Sequence, residues 1–169
     1  MTKSLQTLKD SMVVVSNTTP IISLSSVGQI QLLNALFHEI YIPDAVYLEL
    51  KAKKGFGYKE VDFDFFKRVS VEGNIYKSFL LNQLDLGETE TILLAKELNS
   101  DLVLIDENIA YRIAKNSELK PFRTLSILLL AKEKGLITKC QPIVEEMILK
   151  GRWYSERVYK LFLEKAGEI

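Results

Sequence analysis

Cysteine and histidine are nearly absent: Cys140 and His38 are the only examples in 169 residues. A single cysteine permits no intramolecular disulfide and no structural zinc site built on thiolates, so Cys140 reads as a small packing residue. His38 stands just before a strand-like run with no partner nearby in sequence, which suits a structural or surface role better than catalysis. Long apolar runs are missing as well, and none reaches the roughly 18 residues of a membrane span. The opening MTKSLQTLKDSM has neither the apolar core nor the small-residue cleavage site of a secretory signal. The expectation is a soluble, cytoplasmic protein with no membrane partner. Net charge is lacking too, because 22 Lys and Arg balance 22 Asp and Glu. Global charge therefore offers no pull on nucleic acid, and RNA would have to be steered by a local basic face. There is no glycine-rich phosphate loop, Walker lysine or nucleophile elbow.

What remains is ordinary globular composition, 47% apolar and 26% charged, in a chain long enough to bury roughly two-thirds of its unfolded surface. No repeat, low-complexity tract or linker divides it. Residues 1–169 read as one domain, with 1–11 as a polar N-terminal extension and 138–169 as added C-terminal helices.

Short β-branched runs alternate with helical patterns. MVVVS (12–16) is a first strand, followed by a helix entered through Thr19 as N-cap and Pro20 and stopped at Gly28. IQLLNALF precedes a second strand in HEIYIP, and DAVYLELKAK is helical. Residues 55–68, GFGYKEVDFDFFKR, have the least regular pattern and read as a long loop, with a short strand over 69–71 and a helix in NIYKSFLLNQL. DLGETETILLAKELN is the clearest helix, with Gly87, Thr91, Leu94, Ala95 and Leu98 in one stripe. LVLID (102–106) reads as a buried strand delivering Asp106 to the sheet's edge, then a helix over 108–115. An edge strand over 120–123, a helix capped by Thr124 and closed at Gly135, and two amphipathic helices complete the chain. This alternation implies βαβ units and a parallel sheet covered on both faces.

Four oxygen-bearing residues fall at comparable places. Asn17 ends the first strand, Glu49 lies one to two turns into the helix after the second, Glu88 opens a helix, and Asp106 ends the strand after it. Ends of adjacent parallel strands lie about 5 Å apart, so these side chains can converge at the carboxyl edge where open α/β sheets place their chemistry. Hard oxygen ligands without His or Cys point to Mg²⁺ or Mn²⁺ and to phosphodiester hydrolysis. The three carboxylates also have plainer readings: Asp106 as an N-cap, Glu88 as a first-turn dipole partner, Glu49 as a solvated helix residue. Arg112 suits a phosphate contact or a pairing with Glu107 or Asn108 equally well. Two aromatic-rich stretches stand out. Trp153 or Tyr154, Val158, Leu161 and Phe162 have helical spacing suited to core or dimer packing, while Phe56, Tyr58, Phe63, Phe65 and Phe66 crowd the loop and could meet the core, a second subunit or RNA bases.

VVVSNTTPIISLSSVGQIQLLNALF, IYIPDAVYLEL, LDLGETETILLAKELNSDLVLIDENIAYRIA and LSILLLAKEKGLI, in this order from about Val13 to Ile137, resemble a prokaryotic branch of the PIN-domain family related to VapC-type toxins. The resemblance implies a three-layer α/β/α sandwich around a parallel sheet and a Mg²⁺- or Mn²⁺-dependent endoribonuclease acting on RNA. It also implies a dimer and, for a toxin, an antitoxin-like protein as partner. The family's metal-site positions fall on Asn17, Glu49, Glu88 and Asp106, the carboxylates being the catalytic set, with Thr18, Arg112 and Thr124 placed to meet nucleic acid. Two departures bear on activity. Asn17 stands where most PIN nucleases have aspartate, and RTLS (123–126) replaces a Gly-Thr-x-Gly stretch. An amide oxygen can ligate Mg²⁺ but brings no charge, so a PIN domain that only binds nucleic acid or protein is the alternative, and a phosphatase-like or other α/β enzyme a third.

Overall fold

Which way each strand residue faces decides the architecture. A computed structural model of the protein describes residues 12–169, so the extension expected over 1–11 lies outside the described residues. Five strands form the sheet: β1 (Val14–Ser16), β2 (Ile40–Pro43), β3 (Phe66–Val69), β4 (Leu102–Leu104) and β5 (Pro121–Phe122). They lie in the order β3-β2-β1-β4-β5, all parallel. Nine α-helices connect and flank them among the described residues: α1 (Thr18–Ser26), α2 (Gln31–Phe37), α3 (Asp44–Lys51), α4 (Ile75–Leu80), α5 (Leu86–Glu97), α6 (Asn108–Asn116), α7 (Thr124–Glu133), α8 (Gln141–Leu149) and α9 (Glu156–Lys165). None of these is long and apolar enough to cross a membrane alone.

Successive strand residues point to opposite faces, and both faces are buried, which is why the strands read as continuous apolar runs. Val14, Ile40, Ile42 and Leu104 pack on one side with Leu24, Leu33, Val46, Ile127 and Met147. Val15, Val103 and Ile105 pack on the other with Ile92, Leu94, Ala110 and Ala114. The result is a three-layer α/β/α sandwich with extra C-terminal helices, as the sequence implies.

Some local readings are corrected. The expected long loop ends in β3, three residues earlier than the strand foreseen over 69–71. Its pattern is that of an edge strand, with Phe66 buried and Lys67 and Arg68 exposed, and cations on a sheet edge discourage pairing with other chains. Phe65 and Phe66 belong to the core, whereas Phe56 and Phe63 are exposed. Thr19 and Thr124 lie inside their helices, after Asn17 and Arg123 at the N-cap positions. The C-terminal aromatic run is helical only from Glu156, after Ser155 caps the helix by accepting from the Val158 amide at 3.2 Å. Phe162 is buried, but Trp153 is 79% exposed and is not core.

Glu168 fastens the end of the chain. Its carboxylate accepts from the Cys140 and Gln141 amides at 2.8 and 2.9 Å, capping α8, and from Lys132 Nζ at 3.0 Å. Desolvation works against the charge, yet these donors outweigh it and hold the group at about 2. A depressed carboxylate contributes stability that is present above its unfolded value of 4.5 and lost as pH falls towards the folded value. Glu168→Gln is therefore expected to cost roughly 1.5–3 kcal/mol at pH 7. The gap from wild type should narrow by pH 3 in urea unfolding followed by circular dichroism, and a gap independent of pH would contradict this role.

Candidate active site

The strand pairing positions the backbone first. Asn17 follows β1 and donates its amide to Leu104 O at 3.0 Å, so Asn17 and the Ile105-Asp106-Glu107 stretch emerge side by side at the carboxyl edge. The Asn17 side chain is buried, with Nδ2 donating to Glu107 Oε2 at 3.3 Å. Thr19 Oγ1 donates to Glu107 Oε1 at 2.5 Å, and Thr18 Oγ1 to Glu49 Oε2 at 2.7 Å. The first turn of α1 thus orients two carboxylates from two other elements.

Helix α3 brings Glu49, and a buried carboxylate anchors that helix. Glu90 of α5 accepts from the Ala45 amide at α3's first turn and from Lys77 Nζ, both at 3.1 Å, satisfying an orphan donor of the helix end. Helix α5 itself begins with a capping box: Asp85 accepts from the Glu88 amide at 2.8 Å while Glu88 Oε2 accepts from the Asp85 amide at 3.1 Å. Between them Gly87 presents bare backbone. A side-chain carbon there would lie 3.0 Å from Glu49 Oε2, 3.5 Å from Asp85 Oδ1 and 3.6 Å from Asn17 Oδ1. Three oxygens from β1, α3 and α5 thus converge on the face that Gly87 leaves open, beside a cleft of about 440 Å³ lined by Ala45, Leu48, Glu49, Asp85, Leu86 and Gly87.

No ion pair among the described residues engages Glu49, Asp85, Glu88 or Glu107. The half-buried Glu88 is held above the usual carboxylate range, chiefly by burial and then by repulsion from Asp85, Glu107 and Glu49, against the lowering effect of its backbone bond.

Asp106 faces elsewhere. Its two oxygens accept from the Thr124 amide at 2.9 Å and Thr124 Oγ1 at 2.6 Å, so it caps α7 rather than its own following helix, whose N-cap residue is Glu107. Arg152 Nη2 stands 3.6 Å from Asp106 Oδ2, and Arg123, stacked 4.1 Å above the Tyr111 ring, donates to Asp106 O and to Asn108. Burial pushes the Asp106 carboxyl upward despite the Thr124 bonds and Arg152.

The predicted residues therefore fall into two groups at one edge of the sheet: Asn17, Thr18, Glu49 and Glu88 around Gly87, and Asp106 with Thr124. The hydroxyls of Thr18 and Thr124 serve carboxylates. Arg112 is exposed on α6 and pairs with neither alternative foreseen, since Glu107 is held by Asn17 and Thr19, and Asn108 by Arg123. Among the described residues no three Asp, Glu, His or Cys side chains already stand close enough together to hold a metal ion. The donor chemistry around Gly87 nevertheless fits a hard divalent cation: only oxygens, with excess negative charge. Glu107 is the residue sequence reasoning passed over. The signal was the adjacent acid pair just after β4, of which only the first was taken as a site residue.

The repulsion makes opposite predictions for two substitutions. In chelator at pH 7, Glu88→Gln keeps an acceptor for the Asp85 amide and removes a repelled charge, so its melting temperature should rise by about 2–4 °C. Asn17→Asp sets a carboxylate against Glu107 and should lower it by a similar amount. With millimolar Mn²⁺ the order should reverse, Asn17→Asp gaining most from the ion and Glu88→Gln least, as read by scanning fluorimetry. Equal shifts with and without Mn²⁺ would contradict a cation site.

Compared with known families, residues 13–168 match the model described as PIN domain. No curated protein matches the chain. On the family match, which leaves out only the first twelve residues and the last, the chain belongs to the PIN-domain family.

Proposed function

We propose that the protein is a metal-dependent endoribonuclease hydrolysing RNA phosphodiester bonds with Mg²⁺ or Mn²⁺. The observation that carries the reading is the convergence of three oxygens, from Asn17, Glu49 and Asp85, on the bare backbone of Gly87, in a family whose fold nucleases share. Asn17, Glu49, Glu88 and Glu107 would hold the ion. Asp106 would not, because Thr124 and Arg152 cover its carboxylate; its part is to fix the start of α7 and the two arginines beside it. Once bound, a hard divalent cation supplies charge stabilisation at a phosphoryl oxygen and a water of lowered pKa.

The protein's own groups do the positioning. Asn17 Nδ2 and Thr19 fix Glu107, Thr18 fixes Glu49, and the capping box with Asp85 fixes Glu88. Arg112, exposed on α6, is available to an RNA phosphate. The likeness to VapC-type toxins extends the reading to one half of a toxin–antitoxin pair, in which Leu48 and Leu86, 57% and 48% exposed at the cleft, would meet an antitoxin-like protein or a second copy.

A second reading, a PIN domain that binds RNA without cutting it, is favoured by the lack of three preassembled acidic ligands among the described residues. Cleavage of a mixed single-stranded RNA in Mg²⁺, Mn²⁺ or EDTA separates the two. Wild type should cleave only with divalent ion. Glu107→Gln should lose tenfold or more, and so should Gly87→Ala, whose methyl group displaces Glu49 while alanine's helix propensity, up to about 1 kcal/mol better than glycine's, keeps the fold. RNA binding without cleavage in any divalent ion would leave the second reading.

A further inference from the structure

The segment after Glu49 concentrates charge that the chain as a whole lacks. Between residues 51 and 68 lie Lys51, Lys53, Lys54, Lys59, Lys67 and Arg68 against Glu60, Asp62 and Asp64, six cations to three anions in a chain whose net charge is zero. Four of the five lysines, Lys53, Lys54, Lys59 and Lys67, are exposed. Lys54 and Lys59 line a groove of about 640 Å³ together with Gly55, Phe56, Tyr58 and Glu60. Phe56 is 46% exposed, an arrangement of ring and cations in one concavity that a solvated loop does not need.

The loop is built rather than loose. Gly57 has φ +89, and a side-chain carbon there would clash with the Leu50 side chain at 2.8 Å and touch Ile21 at 3.4 Å, so the backbone lies directly on α3 and α1. The Gly57 amide donates to Glu60 Oε2 at 3.0 Å, and Lys51 Nζ donates to Tyr58 O at 2.6 Å while lying 4.3 Å from the Tyr58 ring centroid. Lys51 also pairs with Asp62 and Arg68 with Asp44, whereas Lys53, Lys54, Lys59 and, on β3, Lys67 are exposed and enter no ion pair among the described residues. Leu50, against which the loop packs, is the neighbour of Glu49, and Ile21 lies one turn beyond Thr18. The groove is thereby tied to α3 and α1, two of the helices that carry the candidate site.

We propose that this groove is the track for single-stranded RNA, with Lys54 and Lys59 meeting phosphates and Phe56 stacking on a base. The inference deepens the nuclease reading and rests on it for the class of nucleic acid. Aromatic stacking between cations suits a strand whose bases are unpaired, since a paired base offers no open face. An acidic peptide would satisfy the lysines but would leave Phe56 without a role.

The test is binding of a fluorescein-labelled, mixed-sequence 20-nucleotide RNA to the full chain in EDTA, by anisotropy across a salt series, with cleavage in Mn²⁺ measured separately. Lys54→Glu/Lys59→Glu should weaken binding at least tenfold and flatten the slope of log Kd against log salt by about 1.4, two phosphate contacts at roughly 0.7 each. Phe56→Ala should weaken binding about tenfold with the slope unchanged, and Phe56→Tyr should restore it. Lys160→Glu on α9 should match wild type. The proposal is overturned if Lys160→Glu weakens binding as much as the loop pair, if the loop variants bind like wild type, if wild type does not bind, or if polyglutamate displaces the RNA as well as unlabelled RNA does. Loop-dependent binding without cleavage would remove the nuclease reading and leave the track; cleavage with KM unchanged in the loop variants would do the reverse.

Discussion

The hydrogen bond from the Asn17 amide to Leu104 O is the contact on which the site depends, because it locks the central parallel pair where β1 and β4 end. Register along that pair runs Val14 with Leu102, Val15 with Val103 and Ser16 with Leu104. A slip of one residue would exchange the two faces of a strand, moving Val14 and Leu104 out of one core and Val15 and Val103 out of the other. It would also turn Glu107 away from Asn17. Hydrophobic burial on both faces therefore enforces a polar geometry at the edge, and the acids gather there without attractive forces among themselves.

Asparagine at position 17 makes physical sense in that setting. Two carboxylates about 4 Å apart repel by about 4 kcal/mol at an effective dielectric of 20, whereas an amide donating to a carboxylate contributes roughly 1.5–3 kcal/mol of attraction. Asn17 lets Glu107 sit 3.3 Å from its Nδ2 while its Oδ1 still faces Gly87 and Glu49. The remaining negative charge falls on Glu49, Asp85, Glu88 and Glu107, and the proton affinity of Glu88 is raised chiefly by burial, with repulsion from Asp85, Glu107 and Glu49 adding to it. The basic residues lie nearby but outside the pocket, on Arg123 and Arg152 around Asp106 and on the lysine-bearing loop after α3.

The fold was legible because short β-branched runs punctuated by helical patterns admit few arrangements, and because strands buried on both faces carry apolar residues at every position. The strand β3 was obscured by its own edge character, Lys67 and Arg68 breaking the apolar pattern. Within the site, Glu49 and Glu88 could be read from spacing, since each sits on a helix following a strand or a cap. The division of labour between Asp106 and Glu107 could not: adjacent residues at a strand end face opposite ways, and only the position of α7, with Thr124 at its start, shows which acid is taken by the scaffold. Arg152 reaches Asp106 from beyond three helices, α6, α7 and α8, a distance over which no local spacing carries information.

The most direct measurement is the crystal structure of the protein grown with Mn²⁺, with the ion located by its anomalous scattering. The account predicts one peak beside Gly87, within about 2.2 Å of oxygens from Glu49 and Glu107, with Asp106 still bonded to Thr124 and Arg152. A peak on the Asp106 carboxylate, or no peak at this edge of the sheet at millimolar Mn²⁺, would contradict it.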